Sequence, residues 1–208
     1  MPTLDRAVAL LDDLVGAGEL VGWVAGLAQD GQREIRHGGR QRVDGPPMEP
    51  DTLFAIASCT KPIGGALALA LVERGDLGLD EPVDRWLPEL ASPSVLVDPA
   101  GDLGDVVPAE RPITLRHLLT MTAGFGWVVE GGPLAAAMAD EGVAPGPFPP
   151  AMSPDEYLRR LAALPLAHQP GETWMYHTGF DVLGVLLARV SGRSVADLLA
   201  EHLTGPLG

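Results

Sequence analysis

Several residue types are missing or scarce in this chain of 208 residues. Asparagine is absent, and Cys59 is the only cysteine, which excludes an internal disulfide and a cysteine-rich zinc site. The five histidines show no ligand-like spacing with each other or with carboxylates, so the sequence predicts no metal and no cofactor. We expect Cys59 to be a small buried hydrophobic residue.

Positive charge is also scarce. Lysine and arginine together number 14 against 28 acidic residues, giving a formal net charge of −14 and a pI near 4.6. Nucleic acid and anionic lipid surfaces are therefore poor partners. The N-terminus has no basic segment followed by an apolar run, and no apolar run reaches membrane-spanning length. These features predict no membrane span and a cytoplasmic location.

The first fifty residues carry the signals of one helix and one hairpin. Apolar residues recur at helical spacing between Leu4 and Val15. Asp30-Gly31 separates two strand-like runs, which predicts a β-hairpin over residues 21–42. The segment "GPPMEPD" then breaks the chain.

The remaining residues predict helices separated by long loops. A helix is expected from about Thr60 to Arg74, with Pro62 in its first turn and Gly75 after its end. Further helices are predicted in "LRHLLTM" after Thr114, from a capping box at Ser153 to about residue 163, in "GFDVLGVLLARVSG" and in "VADLLAEHL" after Ser194. Two Pro/Gly-rich segments, 91–112 and 126–152, are predicted loops.

Ser58 and the single lysine, Lys61, stand three residues apart where the helix begins. This spacing puts both side chains on one helix face. A serine hydroxyl is a weak nucleophile until a neighbouring base takes its proton, and lysine can lose a proton where arginine cannot. The helix start adds positive potential and free backbone N–H groups for a developing oxyanion. Taken alone, the pattern fits two interpretations: nucleophilic catalysis, or a serine near a helix cap with a solvated lysine.

The flanking sequence "FAIASCTKPIGGALALALVERGDLGLDEPVDRWLPEL" resembles the penicillin-recognising serine hydrolases. It is more similar to the branch with class C β-lactamases, their esterase relatives and D-amino-acid peptidases. "ITLRHLLTMTAGF" and "HQPGETWMYHTGFDVLGVLLARVSGRSVADLLAEHLTGPLG" resemble later family segments, in the family's order. The resemblance implies an α/β (α+β) fold of the β-lactamase/DD-peptidase type, with an antiparallel sheet and a helical lobe.

The resemblance also implies roles for three residues. Ser58 is then the acylated nucleophile and Lys61 its base or proton relay. Tyr176 is the second acid and base, since a neighbouring ammonium group favours its phenolate. No cofactor is implied.

Three departures from the family pattern shape the expectations for substrate. The third position of the family's Y-x-N motif is Thr178, which offers one hydroxyl where asparagine offers an amide, so esters are favoured over β-lactams. The absence of asparagine also rules out the S-D-N motif of the class A enzymes. No K-T-G or H-x-G element follows on a later strand. His177 and Trp127 are further candidates for contact with the substrate.

The missing third motif and the small sheet have a common interpretation. Residues 1–208 form one domain, with a helix and hairpin over 1–50 and a mainly helical lobe over 51–208. We expect this domain to be C-terminally incomplete and to self-associate through an open sheet edge.

The predicted function is that of a serine hydrolase acting on small-molecule carboxylic esters or amides through an acyl-enzyme. A β-lactamase and a D-amino-acid peptidase remain open alternatives. A penicillin-binding-like sensor without turnover and an inactive fragment remain open as well.

Overall fold

The structure is a computed structural model that describes residues 4–128, 131–148 and 150–207. The chain divides into two compact units, Met1–Ile56 and Ala57–Gly208.

The first unit contains the predicted helix and hairpin. Helix α1 spans Asp5–Gly16, and strands β1 and β2 span Gly22–Gln29 and Gln32–Gly39. The strands pair antiparallel in the register Gln29↔Gln32, and both turn residues have positive φ, 51° at Asp30 and 77° at Gly31. Glycine and aspartate tolerate this left-handed turn, which matches the twist of the strands. Within the described residues, no third strand joins this ribbon.

The second unit is a helical assembly. Its helices are α2 Thr60–Glu73, α3 Leu115–Leu119, α4 Pro133–Asp140, α5 Pro154–Ala162, α6 Thr178–Ser191 and α7 Val195–Leu199, followed by a π-helical turn Ala200–Thr204 and α8 Gly205–Leu207. Helix α6 is the central element and contacts α2, α3, α5 and α7. Its apolar face is fully buried at Val182, Leu186 and Leu187. Burial of such side chains is the main source of stability of this unit.

The two segments predicted to be loops contain regular structure, so that prediction was wrong in part. Strands β3 Ser94–Leu96 and β4 Val106–Pro108 form a short antiparallel ribbon in the first segment, and α4 lies in the second. Strands of three residues are too short to show an alternating pattern. Helix α4 carried a readable signal, because Pro133 stands at its first turn and alanines follow.

Side chains cap the starts of α3, α5 and α7 in the second unit. Thr114 Oγ1 accepts a hydrogen bond from the His117 N–H, and the His117 side chain accepts one from the Thr114 N–H. Ser153 Oγ accepts from the Glu156 N–H, but the Glu156 carboxylate binds Arg159 and Arg160 instead of returning to Ser153. The sequence predicted a capping box at the start of α5, and this prediction was wrong in part, because only the Ser153 bond forms there. The reciprocal capping box lies at the start of α3 instead.

Candidate active site

Ser58 lies in a 3₁₀ turn, Ala57–Cys59, that leads directly into α2. Ala57 adopts the left-handed backbone region, with φ of 44°. A residue with a β-carbon is strained there, and such strain is concentrated at functional sites. The turn presents the Ser58 side chain at the surface of the second unit, one helical turn from Lys61.

Lys61 connects the nucleophile candidate to Tyr176. Its Nζ donates a hydrogen bond to Ser58 Oγ over 3.2 Å. The same Nζ lies 4.6 Å from the centroid of the Tyr176 ring, within the range of a cation–π contact. The structure therefore brings together the three residues to which the sequence assigns catalytic roles.

Backbone contacts hold Tyr176 in this position. The Met175 N–H donates to the Met121 carbonyl over 2.7 Å, and the Trp127 N–H donates to the Tyr176 carbonyl over 2.8 Å. The Trp174 ring stacks on Tyr176 with centroids 5.5 Å apart. Gly126 makes this close approach feasible, because a β-carbon there would come within 2.5 Å of the Met175 side chain.

The environment of Tyr176 favours its phenolate. Hydrogen bonding with Ser58 lowers the pKa of the Tyr176 phenol below its ordinary value of 10.0. Lys61 lowers this pKa further through a hydrogen bond and its positive charge, while burial acts in the opposite direction. A phenolate beside a serine hydroxyl is a competent proton acceptor.

His177 follows Tyr176 in another left-handed conformation, with φ of 88°, and stands at the start of α6. Its Nε2 lies 3.5 Å from Asp181 Oδ2, one turn further along the helix. The Tyr157 hydroxyl donates to the same oxygen over 3.4 Å. Burial raises the pKa of Asp181, and it also raises the pKa of Tyr157.

A cleft of about 540 Å³ opens beside Ser58 and Lys61. Its walls are mostly apolar and come from the segment before α5 and from the exposed side of α6. The residues that line it include Phe148, Tyr157, His177, Phe180, Asp181 and Gly184. The cleft has the size and apolar character of a small-molecule site.

The other residues singled out by sequence lie elsewhere. Thr178 is fully buried and its Oγ1 has no hydrogen-bond partner within the described residues, so it offers no surface to a substrate. Trp127 is 50% exposed but does not line the cleft. Cys59 is exposed, which corrects the expectation of a buried residue, because the 3₁₀ turn directs it away from the core.

Asp181 and Tyr157 were missed by the sequence analysis. The four-residue spacing of His177 and Asp181 across a helix start was a readable signal, since such residues face each other. Tyr157 gave no such signal, because only the packing of α5 against α6 brings it to Asp181.

Two further properties concern the described residues only. Across residues 4–128, 131–148 and 150–207, no three histidine, cysteine or acidic side chains are grouped to hold a metal ion. No helix in that part of the chain is both long and apolar enough to cross a membrane.

Comparison with known proteins shows the family to which the chain belongs. Residues 7–208 match the family model described as Beta-lactamase. Esterase EstB of Burkholderia gladioli is 40% identical over 207 residues, covering 98% of this chain and 49% of the esterase. Monacolin J acid methylbutanoyltransferase of Aspergillus terreus is 36% identical over 166 residues, covering 78% of this chain and 38% of the transferase.

A solved structure extends the similarity to the fold. The structure is that of EstCE1, a hydrolase with promiscuous acyltransferase activity, and it matches this chain with a TM-score of 0.80 and 28% sequence identity. The match covers 98% of this chain and 51% of the EstCE1 chain. The chain spans about half the length of the curated relatives it matches. These matches confirm the predicted β-lactamase/DD-peptidase-like fold, and the chain belongs to the Beta-lactamase family.

Proposed function

We propose that this chain carries the nucleophile of a serine hydrolase that cleaves small carboxylic esters through an acyl-enzyme. The observation that carries the proposal is the contact of Lys61 Nζ with both Ser58 Oγ, at 3.2 Å, and the Tyr176 ring, at 4.6 Å. The nucleophile and the cation line an apolar cleft, and the phenol, whose pKa is lowered, stands beside the cation.

The reaction follows from these groups. Ser58 Oγ attacks the ester carbonyl, and its proton passes to the Tyr176 phenolate, directly or by way of Lys61 acting as base or relay. The same proton then moves to the departing alkoxide as the ester C–O bond breaks, leaving the acyl group on Ser58. In the second half, water attacks this acyl ester and gives a proton to the same base. The base returns the proton to Ser58 Oγ as the bond between Oγ and the acyl carbon breaks and the acid is released.

Burial of Thr178 supports esters over β-lactams. A β-lactam carries an acylamino group that needs polar partners beside the serine, and an ester does not. Thr178 occupies the position where the family has an asparagine, but it is 0% exposed and therefore cannot supply that partner. Small amides remain within the proposed substrate class.

Acyl transfer to an alcohol is a second candidate function. Two observations favour it: the transferase from Aspergillus terreus is 36% identical, and EstCE1 is described as having promiscuous acyltransferase activity. An alcohol that enters the cleft would replace water as the acceptor of the acyl group. Transfer and hydrolysis would share the Ser58 acyl-enzyme and differ only in the second half.

The test is mass spectrometry of the chain after treatment with a fluorophosphonate probe, together with turnover of p-nitrophenyl butyrate. We expect an adduct on Ser58 and ester turnover, both abolished in Ser58→Ala. An adduct without turnover would indicate a sensor, and no adduct would indicate an inactive fragment. Adding a primary alcohol distinguishes transfer from hydrolysis by the appearance of the new ester.

We also propose how the chain interacts with other molecules. The net charge of −14 disfavours nucleic acid. The β1–β2 ribbon gains no further strand within the described residues, so its outer N–H and C=O groups favour pairing with a second copy of the chain.

A further inference from the structure

Asp181 is a carboxylate in a mostly apolar cleft. It lies in the first turn of α6 and shares the cleft with Ser58 and Lys61. Its side chain retains 41% exposure, so it is open to a molecule in the cleft. Phe148 and Phe180 also line this cleft, whose walls are mostly apolar.

The contacts of Asp181 leave part of the carboxylate unused. Both neighbours approach the same oxygen, with His177 Nε2 at 3.5 Å and the Tyr157 hydroxyl at 3.4 Å from Oδ2. Within the described residues, Oδ1 accepts no hydrogen bond. Because the side chain is 41% exposed, Oδ1 is open to solvent, and a donor on a ligand in the cleft can take the place of that solvent.

The raised pKa of Asp181 agrees with this geometry. Its main cause is burial, which is only partly opposed by His177, Tyr157 and the positive charge of Lys61. Those are the charged and titratable groups that act on the carboxylate from the surrounding elements. A cationic ligand that approaches Oδ1 would favour the ionised carboxylate and so lower this pKa.

An acidic residue in the first turn of a helix has an ordinary alternative role, because it interacts favourably with the helix dipole. That role does not require Asp181 to line a cleft or to face the nucleophile candidate. The acidity of the chain as a whole also favours the approach of cations. Lys61 would repel a second cation, but its Nζ donates to Ser58 Oγ, and Gly184, which lines the cleft one turn along α6 from Asp181, has no side chain to fill the space.

We propose that Asp181 is a specificity-determining residue that binds a protonated amine on the substrate, so that the cleft selects amine-bearing esters. This inference rests on the proposed esterase function. His177 and Tyr157 act as positioning residues that hold Oδ2 and leave Oδ1 directed to the ligand.

The experiment compares p-nitrophenyl esters whose acyl chain has three or six carbons. For each length, the end of the acyl chain is unsubstituted or carries a hydroxyl or an amino group. In the unaltered chain we expect a higher kcat/KM for the aminated ester than for its unsubstituted partner. In Asp181→Asn, which keeps the size of the side chain, the ratio of the two values should fall about tenfold, the effect of about 1.4 kcal/mol. Asp140→Asn removes the same charge at an exposed site outside the cleft and should leave the ratio unchanged.

Different outcomes separate this inference from the proposed function. Turnover with an equal ratio in both chains would overturn the amine site and leave the esterase intact. An equal loss for hydroxylated and aminated esters would show a general hydrogen-bond acceptor and would also overturn it. If no ester is turned over, NMR titration with hexylamine and with hexanol tests the amine site directly. Loss of hexylamine binding in Asp181→Asn supports the site, and equal hexylamine binding in the two chains contradicts it.

Discussion

At the scale of single residues, two strained backbone positions flank the reactive groups. Ala57 precedes Ser58 with φ of 44°, and His177 follows Tyr176 with φ of 88°. Each costs on the order of 1–3 kcal/mol and persists only because neighbouring structure holds it. These two backbone conformations place Ser58 beside Lys61 and His177 beside Asp181 at the start of α6.

The first residue-scale prediction concerns Lys61. Lys61→Arg keeps the positive charge but cannot accept a proton, and its planar guanidinium is larger than the ammonium group that contacts Ser58 Oγ at 3.2 Å. We expect Lys61→Arg to lose nearly as much ester turnover as Lys61→Ala, measured as kcat. A value above about one tenth of the unaltered chain would make Lys61 an electrostatic anchor, since that corresponds to only about 1.4 kcal/mol of barrier.

The second residue-scale prediction concerns the pH profile. Ser58 and Lys61 lower the pKa of Tyr176, so its phenolate forms below pH 10.0, the ordinary pKa of the phenol. We therefore expect kcat/KM to rise with pH and to level off before pH 10.

Tyr176→Phe should remove this rise and slow turnover about 10²–10⁴-fold. Lys61→Ala should move the midpoint upward. Unchanged turnover and a lower unfolding midpoint in Tyr176→Phe would instead make Tyr176 a packing residue.

At the scale of elements, Arg189 on α6 connects three parts of the second unit. Its guanidinium donates to both oxygens of Glu89 at 2.8 and 2.9 Å, to the Trp86 carbonyl at 3.0 Å and to Asp155 at 2.8 Å. Arg189 lowers the pKa of Glu89, chiefly through these hydrogen bonds. The network fixes α6 against the turn at Pro88–Leu90 and the start of α5, so it supports the cleft wall.

Arg189→Met tests this network, because methionine keeps much of the stem but none of the hydrogen bonds. We expect a loss of about 1–3 kcal/mol in the free energy of unfolding, measured with urea at pH 7. The loss should shrink as the pH falls below 4.5, since Glu89 stabilises the fold only while it is ionised. Arg116→Met breaks the exposed pair with Asp80 and should cost less; an equal or larger cost there would contradict the network's special role.

At the scale of the whole molecule, exposed apolar surface accompanies a large negative charge. In the first unit, α1 has no buried residue, and Leu10 and Ile35 are 61% and 54% exposed. In the second unit, Leu69 on α2 is 50% exposed. Apolar surface and free strand edges favour association, which the net charge of −14 opposes.

We therefore predict concentration-dependent self-association through the hairpin. Size-exclusion chromatography with light scattering should show dimers or larger species at high protein concentration, increasing as salt screens the charge. Ile35→Lys should shift the distribution toward monomer, because charge on an edge ribbon disfavours pairing. Leu69→Lys is the matched control; if it disperses the assembly and Ile35→Lys does not, the helical unit carries the contact.

Sequence alone determined the features that depend on near neighbours in the chain. The hairpin turn at Asp30-Gly31 and the Ser58–Lys61 spacing on one helix face are local, and so are the signals that start and stop α2. Backbone preference and helical period suffice to predict them. The family resemblance then supplied Tyr176, which local pattern could not connect to Ser58.

Tertiary structure decided the features that depend on distant parts of the chain. Tyr176 reaches Lys61 because Met121 and Trp127 hold its strand-like segment through backbone hydrogen bonds. Thr178 is buried because α6 packs on α3 so closely that a β-carbon at Gly179 would lie 3.1 Å from the Leu118 carbonyl. Asp181 meets Tyr157 only through the packing of α5 on α6. Such contacts arise from burial summed over whole helices, which no short segment encodes.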